Sequence, residues 1–185
     1  AITAENLAER YAITRQEQDE FAYHSQMACK QAIERGLLRE EIAPVPIKDR
    51  RGNIVQVECD EHPRPTVTMQ DLERLKALFK EGGTVTPGNA SGINDGAAAL
   101  VLTSAENARK HGLTPLARLV SWAAVGVDPS IMGIGPAPAI REALRRAGLK
   151  LEDMDLIEVN EAFAAQYIAV EKELGLDRAK VNVNG

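Results

Sequence analysis

DLIEVNEAFAAQYIAVEKELG (residues 155–175) passes from a short apolar run, through two polar residues, into a helical pattern that stops on a glycine. Leu156, Ile157 and Val159 suit a strand, and Asn160 and Glu161 stand where that strand hands over to the helix. Two readings fit the pair. It caps the helix, or it belongs to a site at the carboxyl end of a strand, where open α/β sheets place their ligands.

Working outward, the same alternation repeats. AAALVLT (97–103) and LARLVSWAAVGVD (116–128) are continuous apolar runs of the kind expected for strands buried on both faces. Thr103 and Glu106 are positioned to cap a helix that stops at Gly112, PAPAIREALRRAG (136–148) reads as a glycine-terminated helix, and KVNVNG (180–185) begins a fourth strand. Strands alternating with amphipathic helices predict an α/β sheet with helices on its faces.

The first eighty residues have another texture. TRQEQDEFAYHSQMACKQAIERG (14–36) opens on a capping box, Thr14 with Glu17, carries Phe21, Ala28 and Ala32 at helical spacing, and ends at Gly36. VPIKDRRGNIVQVECD (45–60) reads as a hairpin around a Gly-Asn turn. EHPRP breaks the chain, and Thr68 with Asp71 caps a further helix carrying Met69, Leu72, Leu75 and Phe79. Helices plus one hairpin predict an insertion or lid, not a sheet layer.

Composition removes several function classes. The formal charge of −5 is spread without blocks, and residues 48–80 hold 7 basic against 6 acidic groups. That balance allows local contacts to a single anion and argues against a nucleic-acid partner. No apolar run approaches the roughly 20 residues of a membrane span. Cys29 and Cys59 form no CxxC and have no partnering histidines, which argues against a zinc site or a disulfide framework and suits a reducing, cytoplasmic setting. Both cysteines, and the unpartnered His24, read as structural residues.

TVTPGNASGINDGAAALVLTSAE (84–106) sets a loop rich in Gly, Asn and Ser directly before a buried run. Small side chains let a ligand approach the backbone, and Asn, Ser and Asp tie such a loop to itself. It lacks the Gly-Lys-Ser/Thr of a P-loop and the GxGxxG order of a dinucleotide fingerprint. Composition alone favours a tight connector.

Taken together, GNASGINDGAAALVL, VDPSIMGIGPAPAIREAL, LIEVNEAFAAQ and VNVNG stand in an order and spacing that resembles the thiolases, the family of acetyl-CoA acetyltransferases and 3-ketoacyl-CoA thiolases. The resemblance includes TAENLAERYAITRQEQDEFAYHSQ and runs over the whole chain, which looks like the middle of a thiolase subunit. It implies an α/β fold, part of an αβαβα layered core with an inserted, mainly helical loop domain. Residues 1–86 would be most of that loop domain, 87–112 the end of the first half, and 113–185 the start of the second.

The implied reaction is reversible Claisen condensation or thiolysis of acyl-CoA through a cysteine thioester, with coenzyme A or acyl-CoA as substrate and no prosthetic group or metal. The family's nucleophilic cysteine, its Gly-His-Pro histidine and its second catalytic cysteine match nothing in these residues, so the span alone is expected to be inactive. Asn160 matches the asparagine that holds a water against the thioester enolate oxygen. Ser91 matches a serine bonded to the pantetheine arm, with Ala90 against it. Met132 matches a pocket methionine, and Ala162 and Phe163 part of the acyl or pantetheine wall. Lys76 occupies the position of an arginine at the nucleotide end of coenzyme A; it keeps the charge but not the planar fork. A homo-oligomer, dimer or tetramer, is implied for the complete protein. The competing class is a non-catalytic coenzyme A-binding or subunit-contact module, and a Gly-His-Pro soon after Gly185 distinguishes the enzyme from it.

Overall fold

Helix ends in this chain are set largely by local side-chain chemistry. The computed structural model describes residues 1–185. Its helices are α1 (Ile2–Arg10), α2 (Arg15–Glu34), α3 (Met69–Glu73), α4 (Ala105–Lys110), α5 (Pro136–Ala147) and α6 (Ala164–Leu174). Thr14 and Glu17 form the expected reciprocal capping box on α2, and Thr68 and Asp71 form one on α3. Gly148 and Gly175 take left-handed backbone at the ends of α5 and α6, where a residue with a Cβ is strained.

Two helix readings are corrected. The helix after Thr68 ends at Glu73, so Leu75 and Phe79 lie beyond it. The cap of α4 is Ser104, whose side chain accepts from the Asn107 N–H, while Thr103 Oγ1 accepts from the Asn107 side chain.

The core forms around α6. Ala164 through Val170 are all buried, and a helix buried on every side needs neighbours on every side. It receives α1 through Ala4, Leu7 and Ala8, and α2 through Phe21, whose ring stacks on Tyr167 at 4.2 Å between centroids. A 3-10 stretch, Pro129–Ile134, closes a third side and leads directly into α5. A Cβ on Gly133 would stand 2.6 Å from Gln166 Cγ and 2.9 Å from Leu7 Cδ1. Neither atom has room to withdraw, because both belong to packed helices. Gly133→Ala is therefore expected to destabilise the fold by about 1–3 kcal/mol, the usual cost of overpacking, read as a lowered Tm.

The hairpin is present as read. Strands β1 (Val45–Lys48) and β2 (Ile54–Val57) pair antiparallel, with Val45 opposite Val57 and Lys48 opposite Ile54. Asp49 fixes the turn by accepting from the Arg51 and Asn53 N–H groups, both at 2.8 Å, and Gly52 supplies the positive φ.

The four expected sheet strands differ from their reading. Residues 97–103 and 116–128 have no ladder partner, and most of their apolar side chains face outward, with Val101 89% and Leu116 100% exposed, while Val127 packs against the core. The last two touch through one parallel bridge, Ile157 to Val181. The accessible surface is 13458 Å², against about 8,700 Å² for a compact monomer of 20.1 kDa. An apolar run buried on both faces becomes a strand only between neighbouring strands, and these 185 residues supply no neighbours for the first two runs. No helix is long and apolar enough to cross a membrane.

Candidate functional site

The glycine-rich loop is held by polar residues of the first two helices. Glu5, 2% exposed, accepts from the Thr84 N–H at 2.9 Å, the Thr84 hydroxyl at 3.0 Å and the Val85 N–H at 2.8 Å. Gln18 donates to the Thr84 hydroxyl at 2.9 Å. Asp19 accepts from Arg15 at 2.7 Å and from the Asn89 amide at 2.9 Å. Asn89 in turn accepts from the Thr86 N–H and donates to the Thr84 carbonyl, closing the loop on itself. Every one of these anchors is buried against helix backbone or core, so the loop enters the site with little freedom.

From that anchor the loop pairs with the segment that opened the sequence reading. Ser91 N–H donates to the Ala162 carbonyl at 3.0 Å, and Ala164 N–H donates to the Asn89 carbonyl at 2.9 Å. Ala90 and Phe163 stand opposite each other between those bonds, in the kind of antiparallel pair where side chains approach most closely. Four of the expected substrate-facing residues, Ala90, Ser91, Ala162 and Phe163, thus meet across one short ribbon. Residues sixty or more positions apart are joined there by main-chain bonds.

Asn160 is decided by the same ribbon. The N-cap of α6 is Phe163, three residues further on, and the α6 N-terminus has no side-chain cap. The Ala164 N–H, an orphan donor at that terminus, goes to the Asn89 carbonyl. The cap reading of Asn160 is therefore excluded. Its side chain is exposed and lines an open cleft with Ala123, Pro136, Ala139, Ile140 and Glu158. Burial pushes the Glu158 carboxyl above its ordinary range, and the Glu161 charge adds to the shift. Glu161 itself is tied down, accepting from the Ser25 hydroxyl at 2.5 Å and from the Asn182 amide at 2.7 Å.

Lys76 and Met132 take no part in the ribbon. Lys76 is exposed just after Leu75, whose carbonyl accepts from Arg15 at 2.9 Å. Met132 is 64% exposed on the 3-10 stretch. Asn89 ties the loop to itself as its composition suggests, whereas the anchors Glu5, Gln18 and Asp19 go unmarked in the sequence reading. Their signal was there for Glu5, which shares the helix face of Ala4, Leu7 and Ala8, and for Gln18, three residues before Phe21 on the apolar stripe.

The structural reading of the cysteines fits Cys29 and not Cys59. Both are free, Cys59 exposed and Cys29 half-buried. Burial raises the Cys29 thiol above its usual range, with Asp60 and Glu161 adding to it. A nucleophile requires the opposite shift. Iodoacetamide at pH 8 is expected to label Cys59 first, with Cys29 modified more slowly than an unhindered thiol; peptide mapping over time checks this.

The whole chain matches known proteins. Residues 1–106 match the family model described as thiolase, N-terminal domain, and residues 113–185 that of thiolase, C-terminal domain. The mitochondrial 3-ketoacyl-CoA thiolase of Bos taurus is 54% identical over the whole chain and 46% of its own length. The acetyl-CoA acetyltransferase of Pseudomonas aeruginosa is 55% identical, over the whole chain and 47% of its own length. The chain thus spans about half the length of the curated relatives it matches. Among solved structures, the Bacillus anthracis acetyl-CoA acetyltransferase superposes with a TM-score of 0.96 at 58% identity, covering 100% of this chain and 46% of that one. The human mitochondrial 3-ketoacyl-CoA thiolase in complex with CoA superposes with a TM-score of 0.92 at 52% identity, covering 100% of this chain and 45% of that one.

Proposed function

The chain belongs to the thiolase family and has the α/β fold of the corresponding part of that family, and on that premise we propose that the complete protein is an acyl-CoA acyltransferase. It catalyses reversible thiolysis and Claisen condensation of acetoacetyl-CoA or a longer 3-ketoacyl-CoA through a cysteine thioester. The observation that carries this reading is Asn160, exposed at the end of residues 155–159 and released from capping α6. A neutral amide in that position holds a water toward a developing enolate oxygen without adding charge to it.

The ribbon gives the substrate its wall. Ser91 offers a hydroxyl to the pantetheine arm, Ala90 and Ala162 keep the approach open, and Phe163 lines the acyl side. Met132 faces the acyl pocket and Lys76 meets the nucleotide phosphates, both from the exposed positions described above. Residues 1–86 act as a loop domain over the substrate, 87–112 end the first half of the core, and 113–185 open the second. The nucleophilic cysteine and the histidine come from other parts of the subunit. The complete protein is a homo-oligomer, and the two free cysteines within residues 1–185 suit the cytoplasm.

The test is CoA-dependent cleavage of acetoacetyl-CoA by the complete protein, followed as loss of the enolate absorbance, with trapping of the acyl-enzyme by mass spectrometry. Turnover with a covalent acetyl adduct supports the reading. Saturable CoA binding without turnover or adduct makes the protein a CoA-binding module instead.

A further inference from the structure

A side chain completes the strand that presents Asn160. Residues 155–159 and 180–182 begin a parallel ladder: Ile157 N–H donates to the Lys180 carbonyl at 2.9 Å, and Asn182 N–H donates to the Ile157 carbonyl at 3.0 Å. The next rung would take the Val159 N–H to the carbonyl of residue 182. Asn182 departs from that path. Its φ of 46° lies in the left-handed region, and its carbonyl turns away to accept from the Gly185 N–H.

The Asn182 carboxamide replaces the missing peptide group. Its Oδ1 accepts from the Val159 N–H at 2.8 Å, and its Nδ2 donates to the Val159 carbonyl at 2.8 Å. The second Nδ2 hydrogen goes to Glu161 Oε1 at 2.7 Å, whose other oxygen accepts from Ser25 on α2 at 2.5 Å. Both neighbours of Asn160 are therefore fixed by one amide, and both amide hydrogens are used. Asn160 has no such tie to its own side chain; its direction is set by the backbone on either side.

We propose that Asn182 is a positioning residue of the thiolase reaction, acting through Asn160, with Glu161 and Ser25 locking its amide in place. The inference rests on the thiolase reading of the site. An aspartate at position 182 keeps the shape and still accepts from Val159. It loses both donors and sets a carboxylate against Glu161.

The experiment uses the complete protein, with kcat and the KM for CoA measured well below the Tm of each variant. Asn182→Asp is expected to lower kcat by up to about a hundredfold, the effect of a misplaced group, with KM for CoA little changed. Because the loss passes through Asn160, Asn182→Asp added to Asn160→Ala should cause no further fall in kcat. The paired change Glu161→Gln with Asn182→Asp, which exchanges donor and acceptor between the two side chains, should recover part of the loss. A wild-type kcat in Asn182→Asp with only a lowered Tm overturns the proposal, and so do losses that multiply in the Asn160→Ala background. Should Asn182→Asp fail to fold, Glu161→Ala carries the same test, since it removes the acceptor of both the Asn182 amide and the Ser25 hydroxyl and leaves the Val159 bonds in place; a wild-type kcat there overturns the proposal. An inactive wild-type protein sinks the thiolase reading itself, which separates that failure from this one.

Discussion

Asn160→Ala in the complete protein is expected to lower turnover by roughly tenfold to a thousandfold, the range seen when one oxyanion donor is lost. The side chain is exposed and serves no helix cap, so the change should leave stability within about 0.5 kcal/mol, as for ordinary surface positions. That split is the useful feature. A fall in kcat together with an unchanged Tm places the loss in the chemistry. Unchanged turnover would remove Asn160 from the chemistry. Asn160→Asp should be at least as damaging, despite its equal size. Glu158, which lines the same cleft, already responds to the Glu161 charge, and a further carboxylate would oppose an enolate.

Glu5→Ala should be the most destabilising single change in the loop anchor. Its carboxylate serves the Thr84 N–H and hydroxyl and the Val85 N–H, and Val85 is fully buried. A buried donor left without a partner costs about 1–3 kcal/mol; with the Val85 N–H buried and the two Thr84 donors half-buried and partly reached by water, the whole change should cost about 3–5 kcal/mol. Urea unfolding with an unchanged m-value measures it. Glu5→Gln retains one acceptor oxygen but turns an NH2 group toward a donor, and should lose about half as much. A cost under about 1 kcal/mol for Glu5→Ala would mean that water reaches the Thr84–Val85 amides and that the loop is not held by this carboxylate. Activity in the complete protein should fall with loop order, because Ala90 and Ser91 follow the anchor by only a few residues.

Much of the helical layout was legible because its signals are local. Thr14 with Glu17, Thr68 with Asp71, and the glycines at 36, 148 and 175 act within one helical turn. The hairpin was legible for the same reason, since Asp49 through Asn53 make the turn among themselves. The runs at 97–103 and 116–128 read as strands and yet form no ladder, because a strand exists through neighbours that a sequence window does not contain. The α4 cap moved by one residue, from Thr103 to Ser104, within the ordinary uncertainty of helix ends.

The sequence by itself determined the family, through four long motifs in register, and with it the candidate residues Ala90, Ser91, Asn160 and Phe163. It left Asn160 open between cap and site. Only the tertiary structure removed the cap, by giving the Ala164 N–H to the Asn89 carbonyl across the ribbon. It also gave partners to residues whose motifs assign them no role: Glu5 beneath the loop, and Asn182 beside Val159. The reason is one of range. Periodicity and capping report interactions over three or four residues, whereas a buried amide or carboxylate is satisfied by whatever donor the fold brings to it.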